Sequence, residues 1–237
     1  LDPAEMPMNY WDYIRVEDLL KLQDGIDRDE SKISKDELLF IVVHQIYELW
    51  FKIVLRELTA ARDLFQQRPV PDMELASAVR SLKRVVTIFD QAVNHFKVIE
   101  TLTTRDYLEF RDRLIHASGF QSAQYRQIEI LSTDLHRLTH HSRRGELSPE
   151  APVAELIQHL YWKSGATELA TGKKTLTLKQ FEQKYADAFL QLAEKVRHCN
   201  LWQTYCRLDE ATRNDEEIIR QMREHDFNAN VRWPLMH

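Results

Sequence analysis

One stretch restricts the fold of this 237-residue chain more than any other. Asp36 to Leu58 reads DELLFIVVHQIYELWFKIVLREL, an apolar run with helical period. Ser34, with Glu37 three residues on, has capping-box spacing, and Pro69-Val70-Pro71 supplies a stop, so the spacing predicts a long helix over 36–65. Phe40, His44, Tyr47, Glu48 and Phe51 fall on one face of it. A single imidazole in such a run has two readings. It is either a core group bonded to a neighbour, or it faces a bound molecule as acid, base, ligand or hydrogen-bond partner.

The period stays helical along nearly the whole chain. Further helices are expected over 13–22, 74–102, 105–115, 120–138, 154–162, 178–208 and 214–226, with polar connections over 140–152 and 163–177. In the second long helix Val79, Leu82, Val86, Phe89 and Val93 have the spacing of a core-facing stripe. Neither a strand nor an internal repeat is evident. The expectation is an all-α fold, a bundle of long antiparallel helices in one domain over 1–237, with an N-terminal arm over 1–25.

Composition excludes several function classes. Only five glycines occur, with no G-x-G-x-x-G or P-loop pattern, so a phosphate-cradling loop is not expected. A net charge of −5 with interspersed signs argues against nucleic-acid binding, and His140-His141-Ser142-Arg143-Arg144 reads as a solvated loop. Cys199 and Cys206 form no C-x-x-C metal pattern and read as buried reduced thiols, as in a cytoplasmic protein. No signal peptide and no apolar run of membrane-spanning length is evident, so no membrane role is expected.

Three further features could carry chemistry. Tyr107 and Arg111, four apart, share a helical face; the arginine is either a surface group paired with Asp106, Glu109 or Asp112, or a two-pronged clamp for a carboxylate. Ser118-Gly119-Phe120 breaks the helix, which suits a plain loop or a ligand pressed against the backbone. Tyr10-Trp11-Asp12-Tyr13 is an aromatic arm that packs on its own domain, on a neighbouring subunit or against a cofactor.

The segments LLFIVVHQIYELWFK, IETLTTRDYLEFRDRL and SGFQSAQYR, in that order, resemble the three signature blocks of the haem-dependent tryptophan 2,3-dioxygenases, with weaker similarity over 10–20 and 202–210. The resemblance implies a helical fold holding haem b between the long helices, and a homotetramer built as a dimer of tight dimers. It implies that His44 is the distal histidine that bonds the indole N–H, that Phe40 packs on the indole ring, and that Arg111 grips the substrate carboxylate. Tyr107 and Leu114 would line the same pocket, Ser118 and Gly119 would form the turn near the oxygen site, and Tyr10, Tyr13 and Ile14 would belong to an arm inserted into the partner subunit's pocket. The implied activity is cleavage of the indole C2–C3 bond of L-tryptophan with O2, giving N-formylkynurenine. One-oxygen transfer to a tryptophan- or tyrosine-derived amino acid is the alternative, and a haem or ligand sensor without turnover is a third reading.

The proximal iron ligand in that family follows a tryptophan by four residues. Trp233-Pro234-Leu235-Met236-His237 gives His237 this role, while an ungapped match gives His225. A proline costs about 3 kcal/mol within a helix but is accepted at its start. The family pattern continues past this point with a helix and a lid over the substrate ammonium. The sequence also opens on Leu1 rather than Met, so a longer parent chain is expected. The connection over 163–177 matches no part of the pattern and suggests a divergent branch.

Overall fold

A computed structural model describes residues 9–67, 72–114, 119–166, 173–217 and 219–220. Among them the chain is helical, with one isolated backbone bridge between Thr139 and Leu160 and no named strand. The helices are α1 (Tyr10–Ile14), α2 (Val16–Leu19), α3 (Lys35–Gln66), α4 (Asp72–Ile99), α5 (Thr104–Phe110), α6 (Ala123–Ser132), α7 (His141–Arg144), α8 (Val153–Leu156), α9 (Tyr161–Ser164), α10 (Leu176–Val196), α11 (Leu201–Cys206) and α12 (Glu210–Arg213). They fall into two compact units, one formed by 1–54 and 84–119, the other by 55–83 and 120–237.

The first unit is built on the N-terminal part of α3 and the C-terminal part of α4. The expected cap is present: the Glu37 N–H donates to Ser34 Oγ at 3.1 Å. The α3 residues Val43, Tyr47, Phe51 and Val54 are buried at steps of four, four and three. Val85, Ile88, Ala92 and Phe96 of α4 are also buried, with the Phe96 ring 5.5 Å from Tyr47. Tyr47 donates its hydroxyl to the Ala92 carbonyl at 3.0 Å, so the one polar atom it takes into the core is satisfied, and burial raises that phenol to about 12. Each large side chain buried this way contributes about 1.5–3 kcal/mol.

The expected stripe on α4 needs correction. Val79 and Val86 are 43% and 58% exposed, and the buried stripe is Ala78, Ser81, Val85, Ile88, Ala92 and Phe96. The small residues Ala78, Ser81 and Ala92 belong to the buried face, one position from the expected stripe. The expectation that no apolar run is long enough to span a membrane is also corrected. By length and composition α3 is apolar enough to cross a membrane, while its residues Val43, Tyr47, Phe51 and Val54 are buried against the protein.

The expected helix over 13–22 is two short helices, because Arg15 sits in the left-handed region at φ 54° and turns its side chain to Asp18 at 2.7 Å. Gly25, at φ +66°, makes the next turn, where a Cβ would come within 2.8 Å of Ile33 Cγ2. Gln45 of α3 holds this loop by donating to the Leu22 carbonyl at 2.7 Å and accepting from Gln23 at 2.6 Å.

The second unit centres on α10 packed against α6. Phe120, Trp162, Phe181 and Phe189 form an aromatic cluster, with Phe120 stacked on Trp162 at 5.7 Å and Phe181 edge-on to both. Three expected helices are shorter here than the periodicity suggests. The one over 120–138 stops at Ser132, whose hydroxyl bonds back to the Ile128 carbonyl at 2.7 Å. The one over 154–162 breaks where Leu160 turns extended to bridge Thr139. The one over 178–208 is interrupted by Asn200, which is buried and caps α11 by accepting from the Gln203 N–H at 2.8 Å. Consequently Cys199 and Cys206 do not share one helix, and Cys206 is exposed, against the expectation of two buried thiols. The basic segment at 140–144 is mostly exposed as expected, but folds as α7 rather than a loop. Of the helix expected over 214–226, residues from 221 onward lie outside the described ones.

Candidate functional site

The first unit gathers an aromatic wall beside unengaged polar groups. Thr103 starts α5 with a complete capping box: its hydroxyl accepts from the Asp106 N–H at 3.2 Å, and the Asp106 carboxylate accepts from the Thr103 N–H at 3.4 Å. This fixes the start of α5, and Tyr107 and Phe110 follow on it. Phe40 of α3 lies 6.3 Å from the Tyr107 ring and 5.5 Å from Phe110, with Tyr107 edge-on to Phe110 at 5.5 Å. Phe110 is 2% exposed and backs the wall, whereas Phe40 and Tyr107 are half-buried. The sequence reading omitted Phe110; its place three residues after Tyr107 on α5 is the signal that could have found it.

His44 stands one turn beyond Phe40, their rings 4.0 Å apart, and is exposed. Its Nδ1 lies 2.7 Å from the Phe40 carbonyl. A carbonyl only accepts, so Nδ1 carries the proton and donates. In the neutral ring Nε2 therefore keeps its lone pair as an acceptor.

Arg111 closes α5 and opens a 3-10 turn, Arg111–Leu114. With three residues per turn, Arg111 and Leu114 eclipse one another, and Arg113 points elsewhere. The side chains confirm the sorting. Arg113 Nη1 donates to Glu37 Oε2 at 3.2 Å and to the Lys32 carbonyl at 3.4 Å. Glu37, 5% exposed, is the carboxylate that capping-box spacing would return to the Ser34 N–H. Arg111 is exposed and has no side-chain partner among the described residues. None of Asp106, Glu109 and Asp112 pairs with it there.

Gly119 opens a second 3-10 turn, Gly119–Gln121, and a Cβ added there would meet no atom within 4 Å. Among the described residues neither crowding nor a positive φ requires glycine at this position. Ser118, His225 and His237 lie outside the described residues. Tyr10, Tyr13 and Ile14 sit on α1, 74%, 76% and 40% exposed. Among the described residues no group of three or more His, Cys, Asp or Glu side chains could hold a bare metal ion.

The second unit holds charge of another kind. Arg126, 6% exposed, pairs with Glu129 at 2.9 Å and donates to the Tyr161 hydroxyl at 2.9 Å, while Tyr161 donates to Glu129 at 2.6 Å. Burial raises the Glu129 carboxyl above its ordinary value, against the pull of Arg126, and raises the Tyr161 phenol as well. Lys163, 6% exposed, pairs with Glu182 at 2.7 Å, and Lys174 reaches the same carboxylate at 2.6 Å. The stretch read as a merely polar connection thus contributes a buried ion pair. A cleft of about 230 Å³ in this unit is lined in part by Asp134, Asn200 and Gln203, but Asp134 already accepts from both amides, at 3.0 and 2.9 Å. Its polar groups answer one another.

The model of the family described as tryptophan 2,3-dioxygenase matches residues 2–231. Over 124 residues the chain is 74% identical to a tryptophan 2,3-dioxygenase of Sorangium cellulosum, covering 52% of this chain and 30% of that protein. Over 125 residues it is 62% identical to tryptophan 2,3-dioxygenase 2 of Ralstonia nicotianae, covering 53% and 34%. A tryptophan 2,3-dioxygenase of Aedes aegypti is 29% identical over 232 residues, covering 97% of this chain and 56% of the relative. The chain thus spans between about a third and just over half the length of these relatives.

Proposed function

The chain belongs to the tryptophan 2,3-dioxygenase family, and on that premise we propose that it carries the substrate pocket of a haem-dependent enzyme that opens the indole C2–C3 bond of L-tryptophan with O2. The observation that carries the reading is the juxtaposition in the first unit of an aromatic wall, an imidazole with a free acceptor nitrogen and an arginine without a partner among the described residues. An indole amino acid asks for these three things. Its ring needs an apolar slot, its N–H an acceptor and its carboxylate a forked cation. Phe40 with Tyr107, His44 Nε2 and Arg111 meet those needs in turn, and Leu114 eclipses Arg111 on the same turn. The open space beside Gly119 supports close approach of a bound molecule to the backbone.

Haem b is the cofactor of this reading. A porphyrin brings four nitrogens of its own and asks one histidine of the protein. His237 would hold the haem iron, with His225 as the second candidate. When bound, the haem supplies O2 activation, and the protein supplies orientation and exclusion of water. His44 holds the indole N–H by accepting its hydrogen bond; Arg111 fixes the carboxylate, and with it the ring position along the Phe40 wall.

The exposed aromatics of α1 support an arm that docks on a second copy, giving a dimer or a tetramer of paired dimers. A cytoplasmic location is part of the same reading. The test is the product mass from haem-loaded, reduced protein given L-tryptophan and O2. A gain of two oxygen atoms is expected; a gain of one would move the protein to one-oxygen transfer, and haem binding without turnover would make it a sensor.

A further inference from the structure

We infer that Glu37 and Arg113 form a positioning pair that keeps Arg111 free and aimed for the substrate carboxylate; the inference rests on the pocket reading above. Two arginines stand two residues apart on a single 3-10 turn, and they have opposite fates. Arg113 is tied to the first turn of α3 through Glu37 and the Lys32 carbonyl. Arg111 is tied to nothing among the described residues. In a turn of three residues, neighbouring side chains differ by about 120° in azimuth, so rolling the turn would exchange which residue faces the aromatic wall. The Glu37 bond opposes that roll.

Glu37 is well placed for this work. It lies on the same helix as Phe40 and His44, so its bond to Arg113 links the segment bearing Arg111 directly to the element bearing the ring slot. It is buried, held beneath the Gly25 turn, where a Cβ on Gly25 would stand 3.7 Å from Glu37 Oε1. A carboxylate so enclosed needs a cation, and one already engaged does not recruit Arg111. The pair thus does two things. It sets the azimuth of the turn, and it supplies the buried acid with its own arginine so that the second remains available to a ligand.

The experiment is a double-mutant cycle in the full-length, haem-loaded enzyme with L-tryptophan. Glu37→Gln keeps the shape and removes the charge. It is expected to raise KM about tenfold with kcat within about twofold, the pattern of lost substrate binding. Arg111→Ala raises KM by more, and in that background Glu37→Gln adds nothing further, because the pair acts through Arg111. Arg113→Lys, which keeps a cation opposite Glu37, recovers most of the wild-type KM, whereas Arg113→Met does not. Additive KM effects of Glu37→Gln and Arg111→Ala, or a fall in kcat at unchanged KM, would overturn the inference while leaving the pocket reading intact. A wild-type enzyme that neither binds nor oxidises L-tryptophan would instead overturn the pocket reading, and this inference with it.

Discussion

The two units treat charge in opposite ways. In the second, Arg126, Glu129 and Tyr161 close a ring of hydrogen bonds, and Lys163, Glu182 and Lys174 form another cluster, so ionic groups away from water find partners in the chain. In the first, Arg111 and His44 Nε2 find none among the described residues, although a buried carboxylate, Glu37, lies on the neighbouring helix. A partnered buried charge maintains a fold, and removing one member leaves the other stranded. An unpartnered group beside an aromatic slot costs the fold little and leaves its hydrogen-bonding capacity for a ligand. The contrast predicts that mutations in the second unit act on stability and those in the first act on binding.

The largest effect should come from breaking the ring in the second unit. Arg126→Ala leaves Glu129 buried without its cation and should cost about 3–5 kcal/mol, read from denaturant unfolding. A loss within about 0.5 kcal/mol would show that water reaches the cluster. The same ring has a pH signature. Burial raises the Glu129 carboxyl above its ordinary 4.5, so the folded state holds that proton more tightly than the unfolded state. The resulting stability is complete below pH 4.5 and is lost as pH rises through the raised value. Glu129→Gln removes this titration, and its stability should vary less with pH across that window than the wild type's.

Arg111→Ala tests the other side of the contrast. Losing a forked contact to a carboxylate should weaken L-tryptophan binding by about 2–3 kcal/mol, seen as a higher KM. Because the side chain is exposed, unfolding should shift by less than about 0.5 kcal/mol. A stability loss of the size expected for Arg126→Ala would place Arg111 among structural arginines and break the comparison.

Most of the architecture was legible in the sequence because it is local. The ends of α3 and the Ser34 cap follow from residues within a few positions of one another. The errors fall where distant partners decide. The α4 stripe moved by one position, to a face where Ala78 and Ala92 are fully buried, and small residues carry little hydrophobic signal in a sequence. The helix over 178–208 broke because Asn200 bonds Asp134, 66 positions away. In the candidate site, the Phe40–His44 face was readable as i, i+4 spacing, but Arg111 and Arg113 could not be told apart. Only the fold shows that Glu37, 76 positions before Arg113, engages that arginine.

His44→Ala should produce a smaller change. Removing one hydrogen bond to the indole N–H is worth about 1 kcal/mol, or about fivefold in L-tryptophan affinity. The same variant should lose little affinity for 1-methyl-L-tryptophan, which has no indole N–H to donate, relative to the wild type's affinity for that analogue. Equal losses for both ligands would mean that His44 acts through packing on Phe40, at 4.0 Å, rather than through Nε2.

Gly119→Ala gives the smallest energetic change and the sharpest separation of the two roles. Its φ is not positive and a Cβ would meet no atom of the described residues within 4 Å, so alanine fits among them without strain. Replacing a glycine under those conditions reduces the freedom of the unfolded chain and should stabilise the protein by about 0.4–1 kcal/mol. If the open space beside Gly119 is where a bound molecule meets the backbone, the same methyl should lower turnover. A variant that is slightly more stable and less active would show that glycine is retained there for a ligand rather than for the fold. One that is more stable and fully active would return the turn to ordinary loop chemistry, and the case for a pocket would then rest on Phe40, His44, Tyr107 and Arg111 alone.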